Sequence, residues 1–257
     1  KPDLIHCNDW MTGLVPPFAR RLNIPCLFTV HNIHTHKVTL AAIEDNGIDA
    51  AEFWRYLYYT RPPHNYEESR STNAVDVMTS GIFAAHFINT VSPTFLREIC
   101  EGRHDFLPPQ IRHEITQKKR ADCAVGILNA PDPAFRPAAD SRIPYPYTPD
   151  THVSAKRQNK RALQERLGLA PDDTAPIFYW PSRLDPVQKG CQLLARILYD
   201  VISSYWEQNL QVAVIANGSF QKVFHEIADF HGFRNRLAVC NFDEGLSHLA
   251  YAASDFV

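Results

Sequence analysis

Six prolines fall within the twenty residues PDPAFRPAADSRIPYPYTPD at 131–150. Proline lacks an amide hydrogen and fixes φ, so such a run can continue neither a helix interior nor a central strand. On both sides of it short apolar strands alternate with helical stretches, the βαβ rhythm of a mostly parallel sheet. The chain therefore reads as an α/β protein made of parts of two domains. The first spans 1–150 and includes a proline-rich linker over about 131–150, and the second spans 151–257. Parallel sheets of this kind take ligands at the carboxyl ends of their strands, so two units joined by a connector predict a cleft and point to the post-strand loops.

In the first unit the pattern predicts strands over Leu4–Cys7, Cys26–Val30, His86–Val91 and Cys123–Leu128. Helices are expected over Met11–Leu22, Ala50–Tyr58, Ala74–Ala85, Thr94–Glu101 and Pro109–Lys119, with Ser92-Pro93 supplying an N-cap and a first-turn proline. The second unit opens with a charged helix, Ala155–Leu167, stopped by Gly168. Strands Pro176–Trp180, Leu210–Ile215 and Arg236–Cys240 then alternate with helices Gly190–Ser204, Phe220–Phe230 and Glu244–Ala250.

Hydrophobic residues make up 45% of the 257 positions and charged residues 21%, enough apolar material for packed cores and a poor match to disorder. Lys plus Arg number 26 against 28 Asp plus Glu, a formal charge of −2. That balance lacks the basic excess of a nucleic-acid binder. No apolar run approaches the roughly 20 residues of a membrane span, and KPDLIHCNDW does not read as a signal peptide. Six scattered cysteines form no CxxC pair and read mostly as buried thiols of a reducing compartment.

Four post-strand segments combine polar groups with exposed positions: CNDW at 7–10, VHNIHTH at 30–36, ILNAPD at 127–132 and SRLDPVQKG at 182–190. Asp9 can cap the helix after it or serve a site. His31, His34 and His36 invite a zinc reading, but their i, i+3, i+5 spacing and the lack of a nearby Cys, Asp or Glu set against it, so no metal is expected. His31 then reads either as a hydrogen-bonding group of a site or as a structural histidine. Arg183 and Lys189 flank a short loop before a helix start, where a guanidinium fork, an ammonium and backbone amides favour one anion. An exposed basic loop is the plain alternative. The chain has no GxxxxGK[ST], GxGxxG or GxSxG, which sets it apart from P-loop hydrolases, dinucleotide oxidoreductases and α/β-hydrolases.

Taken in order, HCNDWMTGL at 6–14, FTVHNIH at 28–34, NTVSPTFLREI at 89–99, GILNAPD at 126–132, KRALQERLGL at 160–169, PSRLDPVQKGCQLL at 181–194 and YAASDF at 251–256 resemble the bacterial glycogen synthase and plant starch synthase family. The resemblance covers nearly the whole chain. It implies a GT-B fold, two Rossmann-like domains facing a cleft, and transfer of glucose from ADP-glucose to the non-reducing end of an α-1,4-glucan with retention. It implies no cofactor beyond the nucleotide-sugar substrate, no membrane partner, and a bacterial cytoplasm as the compartment, with a plastid as the other. By motif position His31 and Asp9 correspond to catalytic-centre residues, and Asn129, Arg183 and Lys189 to donor-binding residues.

Departures from the family wording include Asn8 in place of histidine before the aspartate, Ala130 after Asn129, Thr79 near a usual lysine, and His86 in place of aspartate. The Arg183 to Lys189 interval is also one residue longer than in many members. The family's glycine-rich KxGGL loop and its EPCGL block are not in this sequence. The resemblance therefore implies a fragment truncated at both ends and inactive by itself. Another GT-B enzyme with a UDP-sugar donor and a non-catalytic glucan-binding homologue stay open beside the synthase reading.

Overall fold

A computed structural model describes residues 1–186 and 188–257, and Val187, inside the SRLDPVQKG segment, lies outside the described residues. The chain forms two compact units, Lys1–Ala130 and Pro131–Val257.

The first unit is built on β1 (Ile5–Asn8), α1 (Val15–Arg21) and β2 (Cys26–Val30), followed by β3 (Lys37–Val38), α2 (Leu40–Asp45), α3 (Tyr66–Thr72), β4 (Val75–Asp76) and α4 (Val77–Ala84). It closes with β5 (Phe87–Thr90), α5 (Pro93–Glu101), α6 (Pro109–Arg120) and β6 (Ala124–Gly126). A parallel sheet runs in the order β1-β2-β5-β6, with Ile5 opposite Cys26, Leu27 opposite Phe87 and Ile88 opposite Ala124. Because the order advances in one direction, right-handed crossovers deliver the helices to one face. There Cys7, Cys26, Phe28, Val30 and Ile88 of the strands pack with Ala19 of α1, Met78 and Ile82 of α4, Ile99 of α5 and Ile111 and Ile115 of α6.

The helix expected over Met11–Leu22 is split. A single 3₁₀ turn covers Trp10–Thr12 and α1 starts at Val15, so Pro16 and Pro17 lie in its first turn where amide hydrogens have no helical acceptor. Gly13 permits this, because a Cβ there would stand 2.3 Å from the Val77 carbonyl oxygen. The helix expected over Ala50–Tyr58 is instead two 3₁₀ turns, Ala50–Glu52 and Trp54–Tyr56. Phe53, at φ −137°, interrupts the ladder to bury its ring with Leu40, Ile43, Leu57, Tyr59 and Val75 in a small satellite core. The expected start at Ala74 yields to β4, after which the Asp76 carboxylate caps α4 by accepting the Thr79 amide at 2.8 Å. Ser92 caps α5 as expected, its hydroxyl accepting from Phe95 N at 3.2 Å.

The second unit contains α7 (His152–Leu167), β7 (Ile177–Trp180), α8 (Cys191–Ser204), β8 (Gln211–Ile215), α9 (Gln221–Phe230), β9 (Leu237–Cys240) and α10 (Glu244–Ala253). Its parallel sheet runs β7-β8-β9. Residues of α8 and α9 such as Leu198, Ile202 and Phe224 cover one face, meeting Val212, Val214 and Leu237. Leu163 of α7 and Leu249 and Ala253 of α10 cover the other, against Ile177, Tyr179, Ala213 and Ile215. Buried on both sides, β8 reads as a continuous apolar run after Gln211, whose amide is satisfied by Gln164 at 3.0 Å and by the Ala170 carbonyl at 2.7 Å.

The proline-rich stretch, expected as a linker closing a first domain at 150, is instead part of the second unit, and the boundary falls between Ala130 and Pro131. Side-chain hydrogen bonds explain why. Asp140, 7% exposed, binds the buried His248 ring of α10 at 2.6 Å and accepts the Arg142 amide at 2.9 Å. Arg142 reaches His248 Nε2 at 2.7 Å and Glu244 at 2.9 Å, while Asn159 of α7 brackets the Tyr145 backbone on both its donor and its acceptor. Proline-rich backbone cannot join a sheet, so side chains fasten it to the helices.

Candidate functional site

At the carboxyl end of β1 the chain must turn sharply, and it does so at Asp9, with φ 56° and ψ −178°. That region is nearly exclusive to glycine, and a side chain there stores on the order of 1–3 kcal/mol. What holds it is a set of bonds from the neighbouring strand. Asp9 N donates to Thr29 O at 3.0 Å, and its Oδ1 accepts the His31 amide at 3.0 Å. Oδ2 accepts from Asn32 Nδ2 at 3.2 Å. The Thr12 hydroxyl accepts the Asn8 amide at 2.7 Å and lies 2.8 Å from the Asn8 carbonyl, bracing the turn from below.

This arrangement brings two of the sequence-predicted residues together. His31 is exposed at the end of β2, and its Nε2 stands 3.1 Å from Asn8 Oδ1. Asp9 is 8% exposed and caps no helix with its side chain, so the helix-capping reading is replaced by a clasp on the β2 end. Asn32 and Asn8 are members of the cluster that motif reading did not select. Their signal was positional: each directly neighbours a selected residue at the end of paired parallel strands.

Asn129 lies three residues beyond β6, exposed, on a segment whose Ile127 amide bonds to Thr90 O at 2.8 Å. In the strand order β6 is separated from β2 by β5, and no bond joins Asn129 to the Asp9 and His31 cluster.

In the second unit Arg183 and Lys189 are both exposed and belong to one loop between β7 and α8. Asp185 organises that loop, its carbonyl accepting Lys189 N at 3.2 Å and its carboxylate accepting Gln188 N at 2.8 Å. Gly190, in the left-handed region at φ 71°, turns the chain into α8, whose first amides follow immediately. The loop is seated on its neighbour. Leu184 N donates to Asn217 O at 3.3 Å, and a Cβ at Gly218 would come 2.9 Å from Leu184 Cβ. Beyond β9, the Asn217 side chain accepts the Phe242 amide at 3.0 Å, which leaves the Phe242 ring 52% exposed at the same strand edge. Asn217, Gly218 and Phe242 are carboxyl-edge residues that the motifs do not mark, and each follows its strand by two or three positions.

Burial disfavours the thiolate form of the cysteines near these loops. Burial, reinforced by the adjacent Cys26, pushes Cys7 up to about 11, and burial raises Cys26 and Cys191 as well. All six cysteines are free, with Cys7, Cys26 and Cys191 buried and the others partly exposed. Among the described residues no group of three or more His, Cys, Asp or Glu is set to hold a metal ion. No helix among them is long and apolar enough to cross a membrane.

Two open parallel sheets with polar groups and conformationally special residues gathered at their carboxyl edges define a chain of the GT-B, Rossmann-like α/β class. The catalytic domain of Arabidopsis thaliana starch synthase IV, solved bound to ADP and acarbose, has this fold. It superimposes with a TM-score of 0.74 at 24% identity, covering 99% of this chain and 51% of that one. Residues 1–107 match the family model described as starch synthase catalytic domain. Two Methylococcus capsulatus proteins, glycogen synthase 2 and glycogen synthase 1, are 32% and 31% identical across 99% of this chain, and the Bacillus subtilis glycogen synthase is 30% identical across 98%. The chain belongs to the bacterial glycogen synthase and plant starch synthase family. It spans about half the length of the curated relatives it matches, 51%, 48% and 50% respectively.

Proposed function

We propose that the protein to which this chain belongs transfers glucose from ADP-glucose to the non-reducing end of an α-1,4-glucan, with retention of configuration. The observation that carries the reading is the β7–α8 loop, where Arg183 and Lys189 stand exposed on either side of an Asp185-ordered turn that feeds the start of a 14-residue helix. A guanidinium and an ammonium beside the positive end of a helix suit a diphosphate. Their attraction grows as the bond from the sugar C1 to the diphosphate oxygen breaks and negative charge collects on the leaving group. The acceptor hydroxyl forms the new bond to C1, and its proton passes to an oxygen of the departing phosphate on the same face.

The first unit serves the glucosyl side. The exposed His31 imidazole is the group offered to a sugar hydroxyl, and Asn129 is a second donor-binding amide. Asp9 acts as a positioning residue, because one carboxylate oxygen is engaged by the His31 amide and the other by Asn32. The exposed Phe242 ring supplies an apolar face of the kind a nucleotide base stacks on.

The test uses the full-length protein with glycogen at saturation. Arg183→Ala and Lys189→Ala should each lower turnover with ADP-glucose by about 2–4 kcal/mol of transition-state stabilisation, with little change in folding. Arg183→Lys should stay impaired because an ammonium cannot reproduce the fork. Near-normal turnover and donor KM in both alanine variants would make the loop an ordinary basic surface. A UDP-glucose preference in the same assay would reassign the donor.

A further inference from the structure

A cavity lies wholly within the second unit, and no residue of the β7–α8 loop lines it. It has a volume of about 420 Å³ and sits between the proline-rich stretch and α10. Phe135, Ile143, Tyr147 and Tyr251 are among its lining residues, with the carboxylate of Asp132 and the Asp140–His248 pair. The volume falls within the roughly 300–1,000 Å³ range of small-molecule sites.

The walls are fixed rather than fluid. Phe135 stacks on the His248 ring at 3.9 Å and 16°, and that histidine is itself locked between Asp140 and Arg142. Phe135 also meets Tyr251 edge to face at 5.5 Å and 90°, so two aromatic rings form a corner. Both still reach solvent, at 40% and 39% exposure. An aromatic corner of this kind suits the C–H faces of a pyranose ring. Asp132 gives one oxygen to the Ala134 amide at 2.8 Å and retains further lone pairs for ligand hydroxyls. Burial raises the Tyr147 phenol, which keeps it protonated as a donor.

Charge selects among ligand classes. No lysine or arginine lines the cavity, and its two carboxylates disfavour a phosphate or a nucleotide. An ammonium ligand is disfavoured too. Arg142 and His248 already engage Asp140, and Lys156 Nζ stands 5.8 Å from the Tyr147 ring centre. A neutral, hydroxyl-rich ring meets neither objection. We propose that this cavity is a non-catalytic saccharide subsite taking one or two neutral hexose units. It shares no residue with the donor-side residues assigned above, and only the choice of maltose as probe rests on that assignment.

The test is maltose titration of the 257-residue chain, followed by saturation-transfer NMR and by the aromatic resonances of Phe135 and Tyr251. Saturable maltose binding that shifts both rings is expected. Phe135→Leu, which keeps apolar volume but removes the ring face, should weaken it by about three- to tenfold. Asp132→Asn should weaken it as well, with unchanged thermal unfolding in both variants. Binding should survive His31→Ala, which separates this site from the proposed glucosyl side. No maltose binding at about 20 mM, a weak-affinity ceiling corresponding to only a few kcal/mol, would overturn the proposal. So would binding lost in His31→Ala but retained in Phe135→Leu, or tighter occupancy by tetramethylammonium than by maltose.

Discussion

Asp9 offers a sharp test of how the strand edge of the first unit is held, because its backbone conformation and its side chain pull stability in opposite directions. The φ of 56° with ψ of −178° penalises any side chain, while both carboxylate oxygens hold the β2 end through His31 N and Asn32 Nδ2. Asp9→Ala keeps the strain and removes the clasp. A charge-assisted bond to an amide contributes about 1.5–3 kcal/mol and the side-chain partner about 1, so the loss should be about 2–4 kcal/mol. Asp9→Gly removes the clasp equally but releases about 1–3 kcal/mol of strain. It gives back about 0.4–1 kcal/mol through a more flexible unfolded chain. The glycine variant should therefore exceed the alanine variant by about 1–2 kcal/mol, the reverse of the order expected at an ordinary position. Asp9→Asn should fall between the native protein and alanine. Asn32 Oδ1 is already committed to His34 N at 2.9 Å, so its amide cannot turn over to greet a new donor. Native-state amide exchange of the β1 and β2 strands reads the opening free energy of this unit alone. An alanine variant as stable as glycine would refute the claim that the turn is strained.

Two further outcomes follow from buried groups. His86 accepts the Cys26 amide on Nδ1 at 3.2 Å, and burial, aided by Arg20 and Lys118, lowers its pKa from the ordinary 6.5. A lowered folded value means the unfolded chain takes the proton first, so stability is full above about pH 6.5 and falls as pH drops toward the folded value. His86→Asn should flatten that part of the stability profile in equilibrium unfolding between pH 7.5 and 5, and an unchanged slope would contradict the assignment. Lys160 of α7, 5% exposed, donates to the Ala175 carbonyl and to Asp255 at 2.8 Å each. Asp255 also accepts Ile177 N at 2.8 Å, so Lys160→Ala should cost the second unit about 2–4 kcal/mol in urea unfolding, and less than about 1 would mean that solvent replaces the lysine.

Much of the strand and helix framework was written in local sequence. The two parallel sheets follow from short apolar segments such as Cys26–Val30 and Gln211–Ile215, the second of which is buried on both faces. Ser92-Pro93 and Gly168 mark helix ends through local chemistry, and the helix boundaries at Pro93 and Leu167 fall beside them. The grouping of Arg183, Lys189 and Gly190 was equally legible, because eight consecutive positions cannot lie far apart. Tertiary structure decided the rest. Nothing in local propensity distinguishes the clasped Asp9 from a capping aspartate, because the difference lies in amides 22 and 23 residues away. Phe53 broke a plausible helix because burying one ring outweighed a single turn of backbone bonds. The proline-rich stretch looked like a connector because its backbone can enter neither helix nor sheet. Its place in the second unit was set instead by side chains, above all an aspartate meeting a histidine 108 residues later, a pairing that exists only once α10 has packed on its sheet.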